Sequence, residues 1–413
     1  MQHPKMQYTY VGIDSHKDTH TAVFLDCFFE KLGEITFNNR PSQFGDFLSD
    51  ADKLRQDGTT LLFGLEDVSK YGRTLTTFLR EKEQKVKHVN PLLVSRERRL
   101  QSIPQKSDSV DAECAARVLL SKFSELPDAE PEETYWILRT LVIRRNFLVK
   151  NNRAIKGSLH NLLTQHYPNY RTYFENLDCN TSLAFFSQYP SPGLLKGTTL
   201  EELTEFLREH SHKIFGEPKA RHILDSVEKT EVELQGLRDE TVRSDIRQLK
   251  FNIEEIKRVE VHLTDVFHSL GTTLTSMVGV EVISAAQILS CIGDIRNFST
   301  PAKLARYAGI APVTYASGRK DRQFANQRGN RELNSLFYQL SQRVTMVVGP
   351  SRRVLNPFFH EYYARKMSEG KTRRQALKSV QRRLVNIIWT MLTNNEDYVN
   401  PPTFCEPKES ENA

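Results

Sequence analysis

Cysteine is scarce in this chain: five among 413 residues, Cys27, Cys114, Cys179, Cys291 and Cys405, an odd number with no Cys-x-x-Cys spacing. Neither a zinc ribbon nor a disulfide framework is supported, and a reducing cytoplasm is the expected setting. Long apolar runs are missing as well. No stretch approaches the length of a membrane span, so no membrane partner is expected. The opening Met-Gln-His-Pro-Lys lacks the apolar core of a secretion signal. No internal repeat or low-complexity tract stands out. What is there, 26% charged and 38% hydrophobic residues, describes a globular chain long enough for roughly two to four domains. Acid is short in one place: residues 301–400 hold 18 Lys and Arg against 6 Asp and Glu. The whole chain carries only +6, so the basic excess is local, and a polyanion would lean on that segment.

Residues 8–125 alternate strand and helix patterns. Tyr8–Asp14 and Thr19–Leu25 flank a polar turn and predict an antiparallel hairpin, with Lys31–Phe37 as a third strand. Ser42–Arg55 is an amphipathic helix, Thr60–Glu66 a strand, Thr74–Lys82 a helix, and Val86–Val89 a strand stopped by Pro91. A three-stranded meander followed by strand–helix alternation predicts a mixed α/β domain with the element order of an RNase H-like fold. From Pro131 the character turns to charged helix. Thr134–Leu163 is followed by a Pro-, Gly- and aromatic-containing insertion over 164–217 and then a second long helix to about Leu270. In it Ile246, Leu249, Ile253, Ile256, Leu263, Phe267 and Leu270 keep 3,4 spacing, interrupted at Glu260. That is the pattern of a coiled coil or helical hairpin, formed within the chain or as a dimerisation arm. Residues 275–400 read as a basic, mostly helical unit, and Asn394–Ala413 as a disordered tail.

Four carboxylates stand out. Asp14 ends the apolar run Val11-Gly-Ile, and Glu66 ends Leu61-Leu-Phe-Gly-Leu. Asp108 and Asp111 lie three apart in Lys106-Ser-Asp-Ser-Val-Asp-Ala, where Ser107 is a natural N-cap. Three have an ordinary explanation: a strand-end turn for Asp14, a paired acid for Glu66, a helix-dipole contact for Asp108; the last is weaker for Asp111. Together they suggest more, because i, i+3 spacing puts both helix acids on one face. Four acids in a small volume need cations to offset their repulsion. An all-carboxylate site suits Mg²⁺, or another divalent ion such as Mn²⁺, and two such ions can drive phosphoryl transfer.

The C-terminal segment opens with Leu274-Thr-Ser-Met-Val-Gly-Val-Glu, close to a helix-hairpin-helix turn but with Glu281 at its second glycine. Tyr307-Ala-Gly-Ile-Ala-Pro leads to Ser317-Gly318, a tight turn beside Arg319, Lys320 and Arg322. A plain turn is one reading. A serine bordered by cations that attacks a phosphodiester is the other. Gln327-Arg328-Gly-Asn-Arg331 then starts a helix, and Lys371-Thr-Arg373-Arg374 begins a thirteen-residue stretch with six cations and no acid, suited to a nucleic-acid backbone.

Taken together, Gly-Ile-Asp14, Leu-Glu66 and Ser-Asp108-Ser-Val-Asp111 resemble the Asp-Glu-Asp-Asp signature of a RuvC-like nuclease domain. Leu304-Ala-Arg-Tyr-Ala-Gly-Ile-Ala-Pro through Ser317-Gly318 and Arg328-Gly-Asn-Arg-Glu-Leu resemble the C-terminal domain of the 110 family of insertion-sequence transposases. The resemblance implies a RuvC-like domain over 1–127, a helical coiled-coil region with an insertion over 128–272, a basic transposase domain over 273–395, and a tail over 396–413. It implies metal at Asp14, Glu66, Asp108 and Asp111, with Ser317 as the nucleophile that links covalently to DNA. It implies donor and target DNA, a structured guide (bridge) RNA that pairs with both, and dimers joining into a tetramer. The sites then combine acids and serine from different subunits. Ala316 and Arg319 stand where many relatives have Ser and Gly. The expected nucleic-acid contacts are Arg319, Lys320, Arg322, Arg328, Arg331, Lys371, Arg373 and Arg374. Two other readings are a RuvC-type structure-specific nuclease with water as nucleophile, and a non-catalytic nucleic-acid-binding protein.

Overall fold

The computed structural model describes residues 3–66, 70–101, 107–129, 133–227, 235–317, 320–324, 326–350 and 352–399. The chain divides into two compact units, Met1–Trp136 and Ile137–Ala413.

In the first unit β1 (Tyr8–Ser15), β2 (Thr19–Leu25) and β3 (Lys31–Asn38) form the meander. There follow α1 (Pro41–Lys53), β4 (Thr60–Leu65), α2 (Arg73–Glu81), β5 (Lys85–His88), α3 (Pro91–Leu100) and α4 (Asp108–Lys122). The sheet order is β3-β2-β1-β4-β5. β2 runs antiparallel to both neighbours, whereas β1, β4 and β5 are parallel. Alternation sorts the side chains between two cores. Val11, Ile13, Phe24, Phe63 and Leu65 pack with Phe44, Phe47, Leu75 and Leu79 of α1 and α2. Tyr10, Val23, Leu25 and Leu62 pack with Val94 of α3 and Ala112, Ala115, Ala116 and Leu119 of α4. Both faces are covered, and β1 and β4 are therefore buried along nearly their whole length.

One helix was not expected. Pro91 does end the preceding strand, but it is also the first residue of α3, where its missing N–H costs nothing. Asn90 caps that helix, accepting from Leu92 N at 2.9 Å.

The second unit holds most of α5 (Glu133–His166) and α10 (Gln235–Ser269). Between them lie α6 (Asn180–Gln188), α7 (Pro192–Leu195), α8 (Leu200–His210) and α9 (Glu217–Ser226). α5 and α10 pair antiparallel within the chain, and their seam is split between two cores. Leu138 and Val142 meet Leu263 and Phe267 in one. Ile155, Leu159 and Leu163 meet Val242, Ile246 and Leu249 in the other, which the insertion fills with Tyr167, Tyr173, Phe185 and Phe186. Glu260, the interruption in the heptad-like pattern, pairs with Arg145 at 2.7 Å where the seam divides. Leu148 of α5 and Val259 of α10 are also buried, between the residues of the two cores.

The remainder comprises α11 (Val282–Ile292), α12 (Pro301–Tyr307), the hairpin β6 (Val313–Ser317) and β7 (Lys320–Phe324), α13 (Arg331–Val344), the short pair β8 (Val347–Val348) and β9 (Arg353–Val354), α14 (Pro357–Ser368) and α15 (Arg373–Asn394). Leu304, Phe337, Phe358, Phe359, Leu384 and Ile388 knit these helices together. Before α11 lies a 3-10 turn, Leu274–Ser276, and then Gly279 at φ +97°. Glu281, at the second-glycine position, is engaged by Arg343. Of the tail read as disordered, Glu396 accepts from Thr273 Oγ1 at 2.6 Å and Tyr398 N donates to Ser276 Oγ at 2.8 Å. Residues 400–413 lie outside the described residues.

Candidate functional site

The acids of the first unit are gathered by strand register and by one close helix–sheet contact. Parallel pairing sets Gly12 beside Gly64 and Ile13 beside Leu65, so Asp14 and Glu66 are the next residues along on adjacent strands. Counting by twos from Tyr10 and Leu62, which face α4, both acids belong to the α4 face of the sheet. The glycines bring α4 down onto that face. A Cβ on Gly12 would lie 2.2 Å from both Ala112 O and Ala116 N, and one on Gly64 would lie 2.9 Å from a Val89 methyl. Ser107 caps α4, accepting from Val110 N at 3.3 Å, and fixes Asp108 and Asp111 in the first turn.

Asp14 is 9% exposed and Asp111 7%, whereas Asp108 is open to solvent. His16 Nε2 lies 3.1 Å from Asp14 Oδ2 and 3.1 Å from Asp108 Oδ1. The three donor atoms lie within 4.8 Å of one another. Burial pushes the Asp14 carboxyl above its usual range; His16 opposes the shift, and the charges of Asp111 and Asp108 add to it. Asp111 is also engaged by Arg98 of α3. An imidazole and a guanidinium thus bind acids that would otherwise repel. The donor set fits a divalent ion, because adjacent ligands around an ion bound at about 2.1 Å stand about 3 Å apart.

The expected site residues are placed as follows. Asp14 and Asp108 meet through His16, Asp111 lies near enough to act on Asp14, and Glu66 ends the adjacent strand half-buried. Ser317 ends β6 opposite Lys320, and Arg322 pairs with Tyr315 in the same ladder. Gly318 and Arg319 lie outside the described residues. The hairpin is tied down at its base. Gly309, at φ +67°, and Gly329 touch so closely that a Cβ on Gly329 would lie 2.3 Å from Gly309 Cα. Asn330 N donates to Tyr307 O at 2.6 Å, and Asn334 Nδ2 to Ala308 O at 2.8 Å. Arg328, Arg331, Arg373 and Arg374 are exposed, whereas Lys371 reaches Glu369 at 3.2 Å. Sequence reasoning missed His16, Arg98 and the two sheet glycines. The nearest signal was the imidazole two residues beyond a strand-terminal acid.

The first unit is a mixed α/β domain whose sheet order and strand-end acids are consistent with an RNase H-like fold. Comparison with known proteins narrows the class. Residues 11–168 match the family model of the IS110 DEDD transposase domain, and residues 271–364 match the model described as transposase, IS116/IS110/IS902 family. The uncharacterized 44.8 kDa protein of insertion element IS116 from Streptomyces clavuligerus is 26% identical over 96% of this chain and 98% of its own length. The 43.6 kDa protein of insertion element IS110 from Streptomyces coelicolor is 28% identical, over 94% and 95%. A pilin gene-inverting protein from Moraxella bovis is 22% identical, over 95% and 98%. The chain belongs to the IS110 family of transposases. No described helix is long and apolar enough to cross a membrane.

Proposed function

We propose that this chain is an RNA-guided DNA recombinase that cuts and rejoins donor and target DNA through a covalent serine intermediate. It would act with a structured guide RNA, as dimers joining into a tetramer. The observation that carries the reading is the meeting of Asp14, His16 and Asp108 at one point in a chain whose C-terminal family match includes Ser317. A divalent ion, Mg²⁺ or Mn²⁺, would polarise the scissile phosphate and offset its charge. Asp14, Glu66, Asp108 and Asp111 are the residues to hold it, with His16 beside them. Ser317 Oγ forms a bond to phosphorus while the bond to one sugar oxygen breaks. The serine proton leaves, and the released sugar oxygen takes up a proton as a free hydroxyl. A hydroxyl of the incoming strand later attacks the serine phosphodiester, which restores the serine and rejoins DNA without an outside energy source. Arg319, Lys320 and Arg322 would offset charge on the transferring group, with Arg328, Arg331, Lys371, Arg373 and Arg374 along the backbone.

The wild-type protein should form a protein–DNA adduct that survives a denaturing gel. Ser317→Ala should lose it, with exchange falling about a thousandfold or more. If Ser317→Ala still cuts branched DNA, water is the nucleophile and the protein is a RuvC-type nuclease. Intact cleavage and exchange in Asp14→Asn and Asp111→Asn would defeat both catalytic readings. Sequencing the RNA that co-purifies tests guidance separately, and recovery of no specific RNA would remove it.

A further inference from the structure

The stretch that begins at Lys371 does more than present a charged helix end. Along α15, Ala376, Leu377, Val380, Leu384, Val385 and Ile388 face the core. Gln375, Lys378, Ser379, Arg382, Arg383 and Asn386 fall at 3,1,3,1,3 spacing on another face and line one open groove of about 460 Å³. Ile310 and Pro312, just before β6, and Tyr362 of α14 complete it. No carboxylate is among these residues. The twelve residues 375–386 run about 16 Å, long enough to face several phosphates of one strand at about 3.4 Å each.

The cations are half-buried rather than splayed into solvent. Lys378 Nζ donates to Gly309 O at 3.2 Å and Arg382 Nη1 to Pro301 O at 3.1 Å. Arg383 lies 5.4 Å from the centre of the Tyr362 ring, which Arg365 and Lys366 also approach. Burial, with the Arg374 cation nearby, pushes the Lys378 ammonium below its usual range. The two backbone carbonyls hold Lys378 and Arg382 in position but do not neutralise them. Half-buried like charges without an acid are unfavourable unless an anion joins them.

We infer that this groove is a binding site for the phosphodiester backbone of a nucleic-acid strand, with Lys378 and Arg382 as its principal contacts. Six of its nine lining residues, Lys378 and Arg382 among them, lie beyond residue 364, where the C-terminal family match ends. The inference rests on the nucleic-acid reading above but not on serine chemistry or guidance.

The test is fluorescence anisotropy on the full chain without divalent metal, using a labelled single-stranded DNA, the same sequence as RNA, and a duplex over a salt series. The double variant Lys378→Gln/Arg382→Gln should weaken at least one probe tenfold or more and flatten its log–log salt slope by about 1.4 to 1.8. The probe affected identifies DNA or RNA as the source of the phosphate. Ser379→Glu, which adds an anion without touching the core, should weaken the same probe even if the double variant folds poorly. Arg221→Gln on α9, far along the chain, should change little. Unchanged affinity and slope for all three probes in folded Ser379→Glu and the double variant would overturn the site. Adduct formation by Ser317→Ala, which would end the recombinase reading, leaves these measurements unaffected.

Discussion

In the proposed metal site of the first unit, His16 is the residue that joins two acids. Its Nε2 stands 3.1 Å from two carboxylates, the position of a proton donor when the imidazole is charged and of a ligand when it is neutral. A nitrogen donor shifts a carboxylate site away from Mg²⁺ and toward Mn²⁺, which accepts imidazole more readily. His16→Ala should therefore lower Mn²⁺ affinity about tenfold while Mg²⁺ affinity moves less, measured by titration calorimetry. Equal change for both ions, or none, would remove His16 from the ligand set. The four acids were legible in the sequence because strand ends and an i, i+3 pair are local patterns. His16 was not, since nothing linear says which of Ser15, His16 and Lys17 turns back toward Asp14. Arg98, which engages Asp111, was hidden one level deeper, in a helix whose opening proline had been read only as a stop.

At the scale of elements, the site depends on how closely α4 lies on the sheet. The strands and their order were readable from period-2 runs, but no pattern in the sequence says that Gly12 exists to admit a helix backbone and Gly64 the side chains of Val89 and Leu119. Their role shows only in the distances. Gly12→Ala puts a Cβ 2.2 Å from Ala112 O, so α4 must lift and carry Asp108 and Asp111 with it. The expected loss is about 3 kcal/mol of stability, at the upper end for overpacking, with metal affinity falling alongside. Gly45→Ala is the matched control: it lies exposed within α1, with nothing within 4 Å of a new Cβ, and should be neutral or stabilise by about 0.5–1 kcal/mol. Equal melting temperatures for the two variants would show that the sheet yields at Gly12. The long helices teach a related point. Their 3,4 spacing was legible, but whether the partner was a second chain or the same one was not. Glu260, in the 3,4 pattern, is met by Arg145, and the aromatic insertion fills one of the two cores between the helices.

Across the whole molecule, the two kinds of chemistry are kept apart in sequence: carboxylates in the first unit, the Ser317 hairpin and the basic excess in the second. Each unit has its own cores, and each carries one of the two family matches, the first extending into α5. Under the proposed recombinase reading, a chain built this way has two routes to a complete site, its own acids with its own serine, or its acids with a partner's serine. Mixing two inactive proteins distinguishes them. Asp14→Asn keeps a working serine, and Ser317→Ala keeps working acids. If every site forms within one chain, each site in a mixed assembly has one dead half, and no adduct appears at any ratio. If sites form between chains, half of those in a mixed dimer are dead twice over and the other half are intact. Adduct should then return, carried only by the Asp14→Asn protein, which a size tag on that protein makes visible on a denaturing gel. Adduct on the Ser317→Ala protein would mean that another residue is the nucleophile. Silence at all ratios, with mixed assemblies demonstrated by co-purification of the two tags, would place the acids and the serine of each site in one chain.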